Sequence, residues 1–144
     1  MVECCGGGAK LVFACSGCSD VGEVADKAAR ALSKAGFGKM SCLAGLGGNL
    51  SGFVESAKGA DENIVIDGCP VACAKKIFER IGVTPSSYIL TEMGLVKGET
   101  PVDDEVVQVV CRQIQGQSKK NNMLMQLTPV TTICRIYGYG KLPE

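Results

Sequence analysis

Three short stretches concentrate the residues able to do chemistry: "FACSGCSDVG" (13–22), "KMSCLAGLGG" (39–48) and "VIDGCPVACAKK" (65–76). Each sets cysteine at the junction between an apolar, β-like run and a glycine-rich or helical segment. Together they supply Cys15, Cys18, Cys42, Cys69 and Cys73. Four thiolates complete a tetrahedral shell around zinc, with sulfurs about 2.3 Å from the ion. The same donors can instead hold an iron–sulfur cluster. "CSGC", a C-x-x-C at a helix start, also has the form of a redox dithiol.

The chain contains no histidine among its 144 residues. Ser-His-Asp and Cys-His catalysis are therefore excluded within it, as is any imidazole-ligated metal. A metal held by this chain must be held by thiolate or carboxylate. Fifteen basic residues balance fifteen acidic ones, which argues against nucleic acid or an anionic membrane as a partner. Three Tyr, four Phe and no Trp offer few platforms for stacking bases. "GLGGNLSG" lacks the G-x-G-x-x-G spacing of a dinucleotide loop and follows the second strand rather than the first.

The first residues, "MVECCGGGAKLVF", lack the pattern of a secretory signal. No apolar run approaches the roughly 18 residues of a membrane span. The expectation is a cytoplasmic protein, where nine cysteines would be kept reduced rather than paired as disulfides.

The elements that must position these thiols alternate in type. Apolar runs at 10–14, 39–44, 63–67 and 87–92 read as strands. Between them, helical periodicity spans Asp20 to Ala35, with Val21, Val24, Ala25, Ala28 and Leu32 on one face, then about 50–58 and 70–82. Asp20 with Glu23 resembles a capping pair, and Pro70 suits the first turn of its helix. "VDDEVVQVVCRQIQG" makes a last amphipathic helix, with acids in the first turn favourable to its dipole. This βαβα rhythm predicts a three-layer, doubly wound α/β domain over 1–117, with a mostly parallel sheet of four or more strands and helices on both faces. Residues 118–144 break the rhythm. They are expected to form an extra strand ("VTTICRIY"), a subunit-contact arm for a homo-oligomer or protein partner, or a loose tail.

In such a sheet, ligands bind at the carboxyl ends of the strands. Cys15 and Cys69 follow directly on the first and third strands, and Cys42 lies near the end of the second, just before its glycine turn. Cys73 lies four residues beyond Cys69, and Cys18 three beyond Cys15 at the entrance to a helix. Five thiols thus converge on one edge by topology. Helix N-termini would favour the net charge of −2 on a zinc tetrathiolate. Gly17, Gly45, Gly47, Gly48 and Gly68 would let backbone N–H groups reach sulfur. Lys75 and Lys76 either compensate charge or face solvent. Cys111 falls on the apolar stripe Val106, Val107, Val110, Ile114 and reads as core, and Cys134 as structural. Cys4 and Cys5 reach the site only if Gly6–Gly8 folds them back.

At "CSGCSDVGEVADKAA", "CLAGLGG" and "IDGCPVACAKK" the chain resembles the DGC-domain family, small proteins named for an Asp-Gly-Cys tripeptide and proposed to bind zinc. Here the tripeptide is Asp67-Gly68-Cys69, and the resemblance covers roughly 8–116. It implies zinc held by Cys15, Cys42, Cys69 and Cys73, with Cys18 the alternative ligand, and leaves the biochemical role open. A closed shell would staple strand ends or carry the ion. A three-thiolate site could activate water with Asp67 or Asp20 as acid–base partner.

Overall fold

The structure, a computed structural model, describes residues 9–127, with side chains to 120. Cys4, Cys5, Cys134 and the expected strand "VTTICRIY" lie outside the described residues. Internal contacts divide the chain into two units, 1–112 and 113–144.

The first unit is built on a four-stranded, all-parallel sheet in the order β2-β1-β3-β4. Its strands are β1 (Lys10–Ala14), β2 (Lys39–Met40), β3 (Glu62–Asp67) and β4 (Ser86–Ile89). β1 and β3 are the central pair, in register from Lys10↔Glu62 to Ala14↔Ile66. Both are apolar on each face, as a sheet covered on both sides requires. Along β1, Phe13 points one way and Val12 and Ala14 the other. Along β3, Val65 alternates with Ile64 and Ile66. All six are buried.

One face is covered by three helices. Phe13 and Val65 pack with Leu43 and Leu46 of α2 (Leu43–Gly47), Val54 and Ala57 of α3 (Ser51–Gly59), and Ala74 and Phe78 of α4 (Cys73–Arg80). The Phe13 and Phe78 rings meet edge-on, centroids 5.0 Å apart. That geometry contributes about 0.5–1.5 kcal/mol beyond area burial. The other face carries α1 (Asp20–Lys34), which buries Val21, Val24, Ala25, Ala28 and Leu32 as its periodicity predicts. The part of α5 (Asp104–Leu127) that belongs to the first unit, up to Arg112, joins that side, where the Cys111 thiol donates to the Ala28 carbonyl at 3.6 Å. Helices on both faces of a parallel sheet define the expected doubly wound α/β architecture.

Five local expectations differ from the structure. The strand expected over 87–92 ends at Ile89, where burial of Leu90 turns the chain into a short 3-10 helix, Leu90–Met93. β2 ends at Met40, and the residues expected to prolong it, 41–44, instead lead into α2 with Cys42 as its N-cap. Pro70 does not open α4. It sits in a turn closed by Ala72 N–H on the Cys69 carbonyl at 3.0 Å, and the helix starts at Cys73. Cys69 and Cys73 therefore flank a turn rather than share a helical face. Ser19, not Asp20, caps α1, accepting from Gly22 N–H at 3.2 Å. In the second unit, α5 continues from Gln113 to Leu127, so residues 118–127 are helical.

Among the described residues no helix is long and apolar enough to cross a membrane.

Candidate functional site

β2 lies on one side of β1, while β3 and β4 lie on the other. The chain therefore reverses its winding direction between β1 and β3, and a crevice opens beyond their carboxyl ends. Cys15 extends the ladder one residue past β1, its N–H donating to the Ile66 carbonyl at 3.0 Å. Its sulfur accepts the Gly68 N–H at 3.4 Å. The Asp-Gly-Cys tripeptide and the first thiol are thus joined directly across the crevice.

Gly68 also fits tightly against the opposite wall. A Cβ there would stand 2.8 Å from the Gly22 nitrogen and the Val21 carbonyl group. A Cβ on Gly22 would stand 2.6 Å from the Gly17 oxygen. Side chains at either position would drive the loops after β1 and β3 away from the first turn of α1. Two residues in these loops, Ser16 (φ 54°) and Ala72 (φ 52°), hold left-handed backbone without being glycine. Such conformations cost about 1–3 kcal/mol each and concentrate at functional sites.

Asp67 is buried, with 1% of its surface exposed. Its two oxygens accept Ala74 N–H at 2.9 Å and Lys75 N–H at 3.1 Å, capping α4 from the end of β3. Burial pushes its carboxyl upward, and the two N–H groups and the lysine charges pull it back. Asp20 binds backbone as well, accepting Gly98 N–H on both oxygens (2.9 and 2.8 Å) and Thr100 N–H at 3.0 Å. The Gly98 N–H is the main cause that lowers its carboxyl below the ordinary range. Both carboxylates considered as acid–base partners are engaged in holding loops and helix ends.

The other thiols line the same edge. The Cys42 sulfur accepts Gly45 N–H at 3.4 Å, so the glycine expectation holds for Gly45 and Gly68. Cys42 opens with Ser16 and Ser41 onto a cavity of about 440 Å³ beyond β1 and β2. Cys69 is partly exposed, and Lys97 Nζ lies 3.8 Å from its sulfur. Cys18, Cys42 and Cys73 are exposed. Cys111 is buried as expected, and burial pushes its thiol upward. The side chains of Lys75 and Lys76 are exposed, whereas Lys97 is the cation found beside a site thiol. Sequence reasoning missed Lys97 because it lies 28 residues from Cys69, in a turn without a chemical motif.

The edge is a set of neighbouring thiols rather than a finished cage. Among the described residues, no three Cys, Asp or Glu side chains are grouped closely enough to hold an ion as they stand. By donor type alone the sulfurs, two of them receiving amide N–H bonds, are of the soft kind that zinc and iron–sulfur clusters take.

A parallel α/β sheet with thiols at its switch point and Asp-Gly-Cys closing β3 defines a class. The DGC domain family matches residues 11–114, and the chain belongs to that family. A curated relative is the "Anaerobic and virulence modulator AnvM" of Pseudomonas aeruginosa, 41% identical over 88 residues, which are 60% of this chain and 67% of that protein. No solved structure matches the chain.

Proposed function

We propose that the protein binds zinc through Cys15, Cys42, Cys69 and Cys73, with Cys18 able to replace one of them. The observation that carries this reading is the pair of N–H···S bonds, Gly68 to Cys15 and Gly45 to Cys42, at the carboxyl edge where Cys69 and Cys73 also lie. Amide donors of this kind neutralise part of the negative charge on a metal thiolate, and outer-shell hydrogen bonds set ligand orientation and metal affinity. Bound there, zinc would supply a redox-inert tie between strand ends, with four thiolates leaving no open position for water. Asp67 and Asp20 act as structural carboxylates in this reading. The role is therefore retention or sensing of the ion, and a relative named as a modulator is compatible with a sensor.

Cys18, exposed next to Cys15 at the start of α1, supports a second reading, a thiol redox or iron–sulfur protein using the same residues. One experiment separates the two: elemental analysis of full-length protein purified without added metal, with thiol titration before and after chelation. The proposal expects a colourless protein with about one zinc per chain and four thiols released on chelation. Iron with visible absorbance would transfer the site to the second reading. Unchanged thiol reactivity in a metal-free protein that takes up no zinc would refute both metal readings.

A further inference from the structure

We propose that the cavity between the turn at 94–101 and the first turns of α5 binds a small organic cation, an amine carrying a compact apolar body. The cavity lies within the first unit, and no cysteine lines it. This goes beyond the zinc reading and does not depend on it.

The cavity has a volume of about 430 Å³, within the range of about 300–1,000 Å³ typical of small-molecule sites. Its walls are largely apolar, with Leu95, Val96 and Pro101 on the turn and Val106 and Val109 on α5. Val96 and Val109 leave 53% and 39% of their surfaces exposed. Apolar side chains gathered in one concavity, rather than scattered, mark a place of interaction. Both walls are built before any ligand arrives. The Thr100 hydroxyl closes the turn, donating to the Val96 carbonyl at 2.8 Å and accepting Val96 N–H at 3.0 Å. The Asp20 carboxylate holds the Gly98 and Thr100 N–H groups from the start of α1. On the other wall, Asp103 accepts Val106 N–H at 2.9 Å, and buried Val107 and Val110 fix the helix to the domain. A ligand entering here needs no ordering of the walls, which favours binding.

Charge selects the ligand. Glu99 on the turn and Glu105 on α5 also line the cavity, one carboxylate from each wall. Both are exposed, and among the described residues neither forms an ion pair. Lys97 of the turn, Lys27 of α1 and Arg112 of α5 are engaged elsewhere. Lys97 reaches the Cys69 sulfur at 3.8 Å, Lys27 pairs with Glu23 at 3.1 Å, and Arg112 donates to the Gln108 carbonyl at 3.3 Å. Asp103 and Asp104 serve the start of α5, as Glu105 does in part, but Glu99 belongs to no helix and has no dipole to answer. An apolar body against the valines, with its ammonium group toward the two carboxylates, satisfies both features of the cavity. An anionic ligand would meet two like charges, and a neutral one would leave both without a counter-ion.

The test uses full-length protein and phenethylammonium as the probe, with phenethyl alcohol and phenylpropionate as its neutral and anionic counterparts. Binding is read from backbone amide shifts in NMR spectra at fixed pH and low salt. The cation is expected to bind with a Kd of about 1 mM, the scale for so small a probe, and to move the amides of 94–100 and 105–109. The alcohol should bind several-fold more weakly, and phenylpropionate more weakly still. Glu99→Gln and Glu105→Gln should each weaken cation binding about two- to fivefold, the range of an exposed ion pair, without changing affinity for the alcohol. Val109→Ser should weaken both, through lost apolar contact. Glu55→Gln, on α3 across the sheet, should change neither. All four replaced side chains are exposed, so each variant should keep the parental thermal midpoint. Shifts confined to other residues, equal affinity for cation and anion, or cation binding untouched by both glutamine variants would overturn the proposal. Much tighter binding of a lysine-bearing apolar peptide would overturn the small-molecule assignment in favour of a partner protein, and self-association lost in Val109→Ser would do so in favour of a second copy. Zinc content, measured separately, is unaffected by any of these outcomes.

Discussion

Replacing Gly68 by alanine adds one methyl group at the point where the Asp-Gly-Cys loop touches α1. The new carbon would lie 2.8 Å from three backbone atoms, the Gly22 nitrogen and the Val21 carbonyl carbon and oxygen. No rotamer change can relieve a clash with backbone. The loop must move away by several tenths of an ångström, stretching the Gly68 N–H···S bond to Cys15. Overpacking of this kind costs about 1–3 kcal/mol. For a chain of this size the cost corresponds to a fall in Tm of about 3–12 °C. Gly52→Ala is the matched control. It lies in α3 with nothing within 4 Å of its added carbon, and replacing a helical glycine there should stabilise by about 0.5–1 kcal/mol. Thermal and urea unfolding of the metal-free variants should thus shift in opposite directions. A Gly68→Ala protein as stable as its parent would show that the loop does not press on α1, and the proposed closeness of the crevice walls would fail with it.

Other consequences test separate parts of the structure. Asp67→Ala should cost about 2 kcal/mol in urea unfolding, the upper range for loss of a helix N-cap, because two N–H groups at the start of α4 lose their acceptor; Asp67→Asn, which keeps one acceptor oxygen, should cost less. Among the described cysteines of metal-free protein treated with an alkylating agent, peptide mapping should find Cys18, Cys42 and Cys73 modified first, Cys15 and Cys69 next and Cys111 last. Burial raises the folded-state values of Cys111 and Tyr88 from about 9.0 and 10.0. Below those values both are protonated in either state. As pH rises through 9–10 the unfolded chain loses these protons first, so stability should fall until the folded groups ionise. Cys111→Ala should flatten that alkaline decline, and a slope unchanged by it would place the linkage elsewhere.

Local pattern and physical constraint explain which parts of the fold were legible in the sequence. β1, α1 and β3 were read nearly to the residue, because an apolar run or a 3.6-residue stripe was enough to define them. Their alternation implies the winding, which sets Cys15, Cys42 and Cys69 beyond the carboxyl ends of β1, β2 and β3. Boundaries set by long-range partners were misread. Pro70 looked like a helix start, but α4 takes its cap from Asp67, seven residues before Ala74, and so begins at Cys73. Asp20 looked like a cap, but its acceptors serve Gly98 and Thr100, 78 and 80 residues away. Lys97 was invisible for the same reason. A "KMSCLA" strand and a Cys42-capped helix differ little in local preference, and only burial of Leu43 and Leu46 under the sheet separates them.

The central claim is that sulfurs from separate strand ends share one zinc ion. X-ray absorption at the zinc edge, on full-length protein carrying one equivalent of zinc, measures it most directly. Four sulfur neighbours at about 2.3 Å are predicted, falling to three when Cys18 and Cys69 are both replaced by serine and staying at four in Cys111→Ser. A shell dominated by oxygen at about 2.0–2.2 Å, or one indifferent to that double replacement, would contradict it.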